Sequence, residues 1–142
     1  MAFSHFRGPL RIVYRPKIAS TVFSAGDLMY ADGSGAVQEA DATSGDHVGV
    51  SLRESASTDS DYASNTRIPL IQATDSTEFK VDVTTGTLTT AMVDLYRDLT
   101  DGAGIDVNAT AKNIVLISQF SSASVAIVYV SAHVTSRRVA TT

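Results

Sequence analysis

The chain has 142 residues, the length of a single domain, and it contains no cysteine. A disulfide framework, a thiolate zinc site and a cysteine nucleophile are therefore excluded. Charged residues make up only 18% of the sequence and aromatic residues 7%. Such a neutral, polar composition is more typical of an assembled or extracellular β protein than of a cytosolic enzyme.

The net charge of −4 hides an uneven distribution. Residues 1–26 carry four basic residues and no acidic one, whereas residues 27–135 carry fifteen acidic residues against five basic ones. Charge-segregated ends indicate interaction segments. An acidic body repels nucleic acid and anionic lipid, so we expect neither as a partner.

Residues 1–21 are predicted to form an extended basic arm. Pro9 and Pro16 exclude a helix or a central strand, although residues 10–14 could add as a short strand to another element. We expect no signal peptide, because the start has no continuous apolar stretch. The most apolar run, 113–134, is too polar to span a bilayer.

Short β runs separated by turn clusters follow the arm. Residues 27–30 and 36–40 flank a glycine-rich turn and predict a hairpin. The run 48–52 predicts a strand with Val48, Val50 and Leu52 on one face. Residues 54–66 predict a long, exposed Ser/Asp-rich loop.

The second half of the chain continues the pattern. Pro69 places the run 67–72 at a sheet edge or a strand start. The run 78–83 alternates apolar and charged residues, which predicts a half-buried strand. Residues 90–96 hold the one helix candidate, of at most two turns.

The clearest hairpin joins residues 114–117 to residues 125–130, and both strands are apolar enough to be central. The sequence therefore predicts a mostly β fold, a small barrel or sandwich of short antiparallel strands with one short helix and an extended arm. The predicted divisions are an arm at 1–21, a β domain at 22–134 and a flexible tail at 135–142.

A search for chemistry finds no catalytic set, so we expect a protein that is not an enzyme and uses no metal or cofactor. The three histidines have no metal-ligand spacing. The glycine pairs at 33–35 and 102–104 lack the patterns of a nucleophile elbow or a dinucleotide site. Two acidic groups could hold Ca²⁺ but lack the helix–loop–helix calcium pattern. The residues concerned are His5, His47 and His133, and the acidic groups Asp59 with Asp61 and Asp98 with Asp101 and Asp106.

The arm is the candidate contact site, because arginine and aromatic residues commonly anchor protein interfaces. Its mixture of basic and aromatic residues is also found in nucleic-acid sites, but the acidic body opposes that partner. A disordered start is the other alternative, and the apolar residues of the arm argue against it. The candidate contact residues are Phe3, Phe6, Arg7, Arg11, Tyr14, Arg15 and Lys17.

The layout of turns and strands over residues 22–132 resembles that of head decoration proteins, or cement proteins, of tailed bacteriophages. The arm with its two prolines departs from the short-armed members of that family. The segments that carry the resemblance are 23–28, 47–52, 78–81, 86–88, 92–93, 96–99, 105–107 and 120–128.

The resemblance implies a structural protein located in the virion, on the outer surface of an assembled capsid. Its expected partners are the major capsid protein and copies of itself, with a homotrimer favoured and a dimer also compatible. Cementing a shell requires many copies of a stable domain with bridging contacts and no chemistry.

Two other functions remain open from the sequence. One is a different virion or cell-surface binding module, such as a fibre base or a glycan-binding β domain that uses loop 54–66. The other is a small hydrolase with a carboxylate pair, which no residue pattern marks.

Overall fold

The structure of the protein, a computed structural model, describes residues 2–42 and 44–130. These residues form eleven strands and one short 3-10 turn, which confirms the predicted mostly β fold. The tail predicted at 135–142 lies outside the described residues. The strands are β1 Ser4–Arg7, β2 Ile12–Pro16, β3 Leu28–Ala31, β4 Val37–Glu39, β5 His47–Ser51, β6 Arg67–Gln72, β7 Glu78–Thr85, β8 Tyr96–Asp101, β9 Gly104–Asp106, β10 Val115–Ser122 and β11 Val125–Val130.

Six strands form a first sheet in the order β1-β7-β11-β10-β8-β9, and five of them close into a barrel because β9 also pairs with β7, in parallel. One edge of β7 pairs with β11, and two strands share the other edge. β1 pairs with residues 78–80 and β9 pairs with residues 82–85. β1 therefore covers the part of β7 that β9 leaves open.

The predicted alternation along β7 is confirmed. Phe79 and Val81 are buried in the main core, while Lys80 between them is exposed. Glu78 is the exception, because its side chain is buried although it belongs to the charged set of the pattern.

The other five strands form a second sheet in the order β2-β6-β5-β3-β4. Successive side chains of a strand point to opposite faces, and both faces of this sheet are used. Leu28, Val50 and Ile71 join the main core with the barrel residues, whereas Met29 and Leu70 belong to a second cluster on the other face.

The two edge strands of the second sheet meet at one point. Lys17, directly after β2, makes a parallel bridge to Val37 at the start of β4. The amide of Ile18 donates a hydrogen bond of 3.0 Å to the carbonyl of Val37. The sheet therefore curls toward a second, incompletely closed barrel around the smaller cluster.

The N-terminal segment is extended, but the structure contradicts its separation from the body at residue 21. β1 pairs with β7 of the barrel and β2 pairs with β6 of the second sheet. Phe3 is buried in the main core. The prediction that residues 10–14 add as a strand is confirmed for β2, and the strand that receives it belongs to the same chain.

Pro69 does not mark a sheet edge, since β6 lies between β2 and β5. The prediction is wrong because the missing amide hydrogen is not needed at this position. β5 pairs only with residues 70–72 of β6, so Pro69 lies beyond the paired stretch on that side.

The expected shared face of Val48, Val50 and Leu52 is also wrong. The register between β3 and β5 shifts between Met29 and Tyr30, which leaves Val48 as the additional residue of a bulge. Val48 therefore packs on the second cluster while Val50 packs on the main core. Leu52 follows β5 and is exposed.

The predicted short helix is a single 3-10 turn at Thr90–Met92. Thr89 precedes the turn but makes no side-chain capping hydrogen bond. Tyr96, expected in the helix, begins β8. The predicted hairpin is confirmed as β10 and β11, which occupy interior positions of the first sheet.

Candidate functional site

Two of the seven candidate contact residues are buried. Phe3 is 2% exposed and its ring packs edge-on against Phe79, with centroids 6.3 Å apart. Lys17 has no exposed surface, and its Nζ donates to the carbonyls of Tyr62 at 3.0 Å and Ser64 at 2.8 Å. Neither side chain is available to a partner, and both hold the segment to the body.

Lys17 also explains the conformation of the long polar loop 54–66. A buried ammonium needs several acceptors to offset its lost hydration, and the loop supplies two of them. A second contact holds the same loop from outside, where the guanidinium of Arg53 donates 2.7 Å and 2.8 Å hydrogen bonds to the carboxylate of Asp61. The contacts of Lys17 and Arg53 therefore both hold the predicted loop against the body.

Arg7 of β1 is fixed by a network around Glu78 of β7. Its Nε and one terminal nitrogen donate to Oε1 of Glu78 at 2.9 Å and 2.7 Å. The hydroxyl groups of Ser118 and Tyr129 add hydrogen bonds of 2.8 Å and 3.3 Å to the same carboxylate. The buried acid therefore has donors on strands from both sides of β7.

The balance at Glu78 favours the ionised form. Burial acts to raise its pKa, but the hydrogen bonds and charge of Arg7 and the hydroxyl of Ser118 outweigh this, and the pKa is lowered. Burial and the nearby Glu78 raise the pKa of Tyr129. Arg7 is held in one position as a result, although 63% of its side chain is exposed.

Phe6 lies beside this anchored guanidinium. Its side chain is exposed, and the central carbon of the Arg7 guanidinium is 5.8 Å from the ring centroid, within the range of a cation–π contact. β1 thus presents an aromatic ring and a fixed positive charge together.

A row of exposed apolar side chains continues along β2. Ile12 and Tyr14 are 41% and 55% exposed and share one face of β2, and Leu10, two residues before the strand, is 53% exposed. Tyr14 lies opposite Pro69, whose carbonyl accepts a 3.0 Å hydrogen bond from the amide of Leu52. Leu52, 47% exposed, therefore lies two strands across from Tyr14.

A groove of about 320 Å³ runs between β1 and the end of β5, beside this row. Its walls include Phe3, Val50, Leu52 and Ile71. We use the name β1–β2 surface for the exposed side chains of β1, of β2 with the preceding Leu10, and of Leu52 at the groove. Its exposed members are Phe6, Arg7, Leu10, Ile12, Tyr14 and Leu52.

Arg15 lies on the opposite face of β2 from Ile12 and Tyr14, because it alternates with them, and Arg11 directly precedes the strand. The structure therefore separates the predicted contact residues. It brings Phe6, Arg7 and Tyr14 to the β1–β2 surface and directs Arg11 and Arg15 elsewhere. Leu10, Ile12 and Leu52 were not among the predicted contact residues, although their alternation along a strand could have indicated them.

Of the acidic residues considered for Ca²⁺, Asp98, Asp101 and Asp106 accept hydrogen bonds from the protein's own backbone. The carboxylate of Asp98 accepts hydrogen bonds of 2.7–3.0 Å from the amides of residues 111–113. Asp101 and Asp106 each accept one from an amide two residues further on. Among the described residues, no group of three or more histidine or acidic side chains is placed to hold a metal ion.

Of the histidines, His5 bonds to the carbonyl of Gly8 at 2.9 Å, and His133 lies outside the described residues. His47 is buried at the start of β5. Within residues 2–42 and 44–130, no helix has the length and apolarity needed to cross a membrane.

The site and fold define a mostly β protein with an ordered, exposed apolar and basic surface. No protein-family model matches the sequence, and no curated protein matches it either.

Proposed function

We propose that the protein is a head decoration protein of a tailed bacteriophage. In this role it binds the outer surface of the assembled capsid and stabilises it by bridging neighbouring subunits of the major capsid protein. The layout resemblance over residues 22–132 motivates the proposal. The observation that supports it most directly is the β1–β2 surface, which exposes aromatic, aliphatic and arginine side chains on paired strands.

This surface has the composition of a protein interface. Aromatic and arginine residues are over-represented among the side chains that dominate binding energy. Arg7 is already oriented by Glu78, so binding does not have to order its long side chain, which reduces the entropic cost of association. Tyr14 has only two side-chain torsions and lies on a paired strand, so little of its freedom is lost on binding.

Multiple copies strengthen such an attachment. A homotrimer that engages several capsid subunits at once makes the later contacts intramolecular, so individually weak interfaces combine into durable binding. A homodimer at a two-fold position is the alternative arrangement, and both place the protein on the virion surface.

A head-binding assay with point variants tests this function. Heads assembled without the protein are mixed with Phe6→Ala, Tyr14→Ala or wild type, and bound copies are counted after sedimentation. Truncation of a central anchor costs about 2 kcal/mol or more, which lowers the affinity by roughly 30-fold. Phe120→Ala is the matched control, because Phe120 is similarly exposed but lies on β10.

The proposal requires that Phe6→Ala and Tyr14→Ala reduce occupancy while Phe120→Ala does not. Equal occupancy for all four proteins would exclude the β1–β2 surface as the contact. Absence of wild-type binding to heads would overturn the decoration role itself.

A further inference from the structure

A polar pocket of about 380 Å³ lies away from the apolar row, between β2, β6 and the turn that joins β3 to β4. Its volume is within the lower part of the range for small-molecule sites. The side chains and glycines that determine its chemistry are Arg15, Gly33, Gly35, Asp46, His47 and Gln72.

Arg15 supplies the positive charge of the pocket. The residue is partly buried, and its side chain forms no hydrogen bond or ion pair with any described residue. A planar guanidinium matches a carboxylate with two parallel hydrogen bonds. The wall formed by β2 is therefore suited to a ligand with a carboxylate.

The other walls carry hydrogen-bonding groups. Asp46 lines the pocket without an ion pair to Arg15. The side-chain amide of Gln72, which has no hydrogen-bond partner among the described residues, offers both a donor and an acceptor. A hydroxyl group can donate to Asp46, whereas a second carboxylate nearby is repelled by it.

His47 adds a neutral polar wall. Burial lowers its pKa to about 4, against the opposing effect of Asp46 and Asp41. The side chain is 5% exposed, its Nε2 contacts the hydroxyl of Ser44 at 2.9 Å, and its Nδ1 has no hydrogen-bond partner among the described residues. Among the described lining residues, Arg15 is consequently the one cationic group at neutral pH.

The turn between β3 and β4 leaves room for a ring. Gly33 and Gly35 have no heavy atom within 4 Å of the position that a Cβ would occupy. The two glycines themselves present no side chain to a ring that approaches the turn.

We infer that this pocket binds a sugar acid, a hexuronate whose carboxylate pairs with Arg15 and whose hydroxyls bond to Gln72 and Asp46. The ligand class follows from the combination of one guanidinium with neutral and anionic acceptors. An acidic peptide side chain satisfies Arg15 but has no hydroxyl for Asp46. The site is separate from the surface proposed for capsid binding, so neither proposal depends on the other.

Titration of ¹⁵N-labelled protein with methyl β-D-glucuronide tests the inference. We expect saturable amide shifts at residues 31–35, 46–48 and 72–73. Methyl β-D-glucoside, which lacks the carboxylate, should bind at least about tenfold more weakly, since a charge-assisted contact is worth about 1.5 kcal/mol or more. N-acetylglutamate, which has carboxylates but no hydroxyls, should also bind more weakly than the glucuronide.

Two variants of the same side chain separate charge from geometry. Arg15→Met should reduce glucuronide binding at least about tenfold, and Arg15→Lys should fall between it and wild type because a lysine loses the planar fork. Arg67→Met is the matched control, since Arg67 is an arginine of the same sheet that does not line the pocket. Thermal unfolding confirms that each variant is folded.

The inference is overturned by any of three results: no saturable shift up to about 100 mM glucuronide, a concentration that detects even very weak binding; equal binding of the glucoside; or N-acetylglutamate binding as tightly as glucuronide. The last result would assign the pocket to acidic side chains instead of sugars.

Discussion

Replacement of Phe3 by alanine should destabilise the whole protein, even though Phe3 lies near the chain terminus. The ring is 2% exposed and contacts Phe79 edge-on at 6.3 Å. Truncation of a buried phenylalanine costs about 3–5 kcal/mol, which includes the cavity that remains. For a domain of this size one kcal/mol lowers the melting temperature by about 3 °C, so Phe3→Ala should lower it by roughly 9–15 °C.

Urea unfolding followed by two spectroscopic probes measures the loss, and Phe6→Ala is the control. Phe6 belongs to the same strand region but is 45% exposed, so its truncation should cost less than about 1 kcal/mol. If the two variants lose equal stability, the packing of the N-terminal segment on the barrel is refuted. A deletion of residues 1–21 would remove Phe3 together with the exposed contact residues. It should therefore destabilise the body, and a loss of binding in the deletion variant would not identify the contact site.

Three further variants test separate features. Lys17→Met should lower the free energy of unfolding by about 2–4 kcal/mol, because two loop carbonyls lose a charged donor. Protease cleavage within residues 54–66 should become faster, and an unchanged cleavage rate would contradict the anchoring role of Lys17. Gly49→Ala should lower the free energy of unfolding by about 2–3 kcal/mol in a urea titration, because a Cβ at this position meets the backbone carbonyl of Ile71. A variant as stable as the wild type would show that β5 and β6 can move apart without cost. Glu39→Gln should raise stability at pH 7, on the scale of about 0.2–1 kcal/mol. The pKa of Glu39 is raised, first by burial and then by neighbouring acids, so the stability it contributes is complete at low pH and is lost as pH rises through the folded pKa. The gain in Glu39→Gln should therefore shrink toward pH 3 in a melting series, and a gain that is constant with pH would contradict this origin.

Local patterns predicted the strands whose partners or faces leave a signal in the sequence. The alternation at Phe79 and Val81 identified β7, and the Ser-rich turn between two apolar runs identified the β10–β11 hairpin. Both rest on the period-2 geometry of a strand and on turn composition, which act over a few residues.

Long-range pairing left no such signal. The partner of β1 is β7 and the partner of β2 is β6, and nothing within residues 1–21 specifies either. A lysine preceded by a proline is normally exposed, so the burial of Lys17 depended on acceptors that a distant loop provides.

The absence of a signal for long-range contacts also explains why only part of the candidate site was predicted. Phe6, Arg7 and Tyr14 were identified by residue type, which is sufficient where a side chain is exposed on the strand. Residue type could not separate Phe3 from Phe6, because only the bulge between His5 and Arg7 and the pairing with β7 determine which ring enters the core. Leu52 lies near Tyr14 because its amide bonds to the carbonyl of Pro69, a contact that the sequence does not mark.

The pairing of β1 with β7 has a consequence for how the chain is made. A ribosome synthesises β1 and β2 before β6 and β7, so these two strands gain their partners only after β6 and β7 have emerged. Until then the side chain of Phe3, which is buried in the native protein, remains exposed to other nascent chains. Contacts between residues so far apart in sequence also form slowly. The segment that holds β1 and β2 is therefore synthesised before its partners but is among the last to become native.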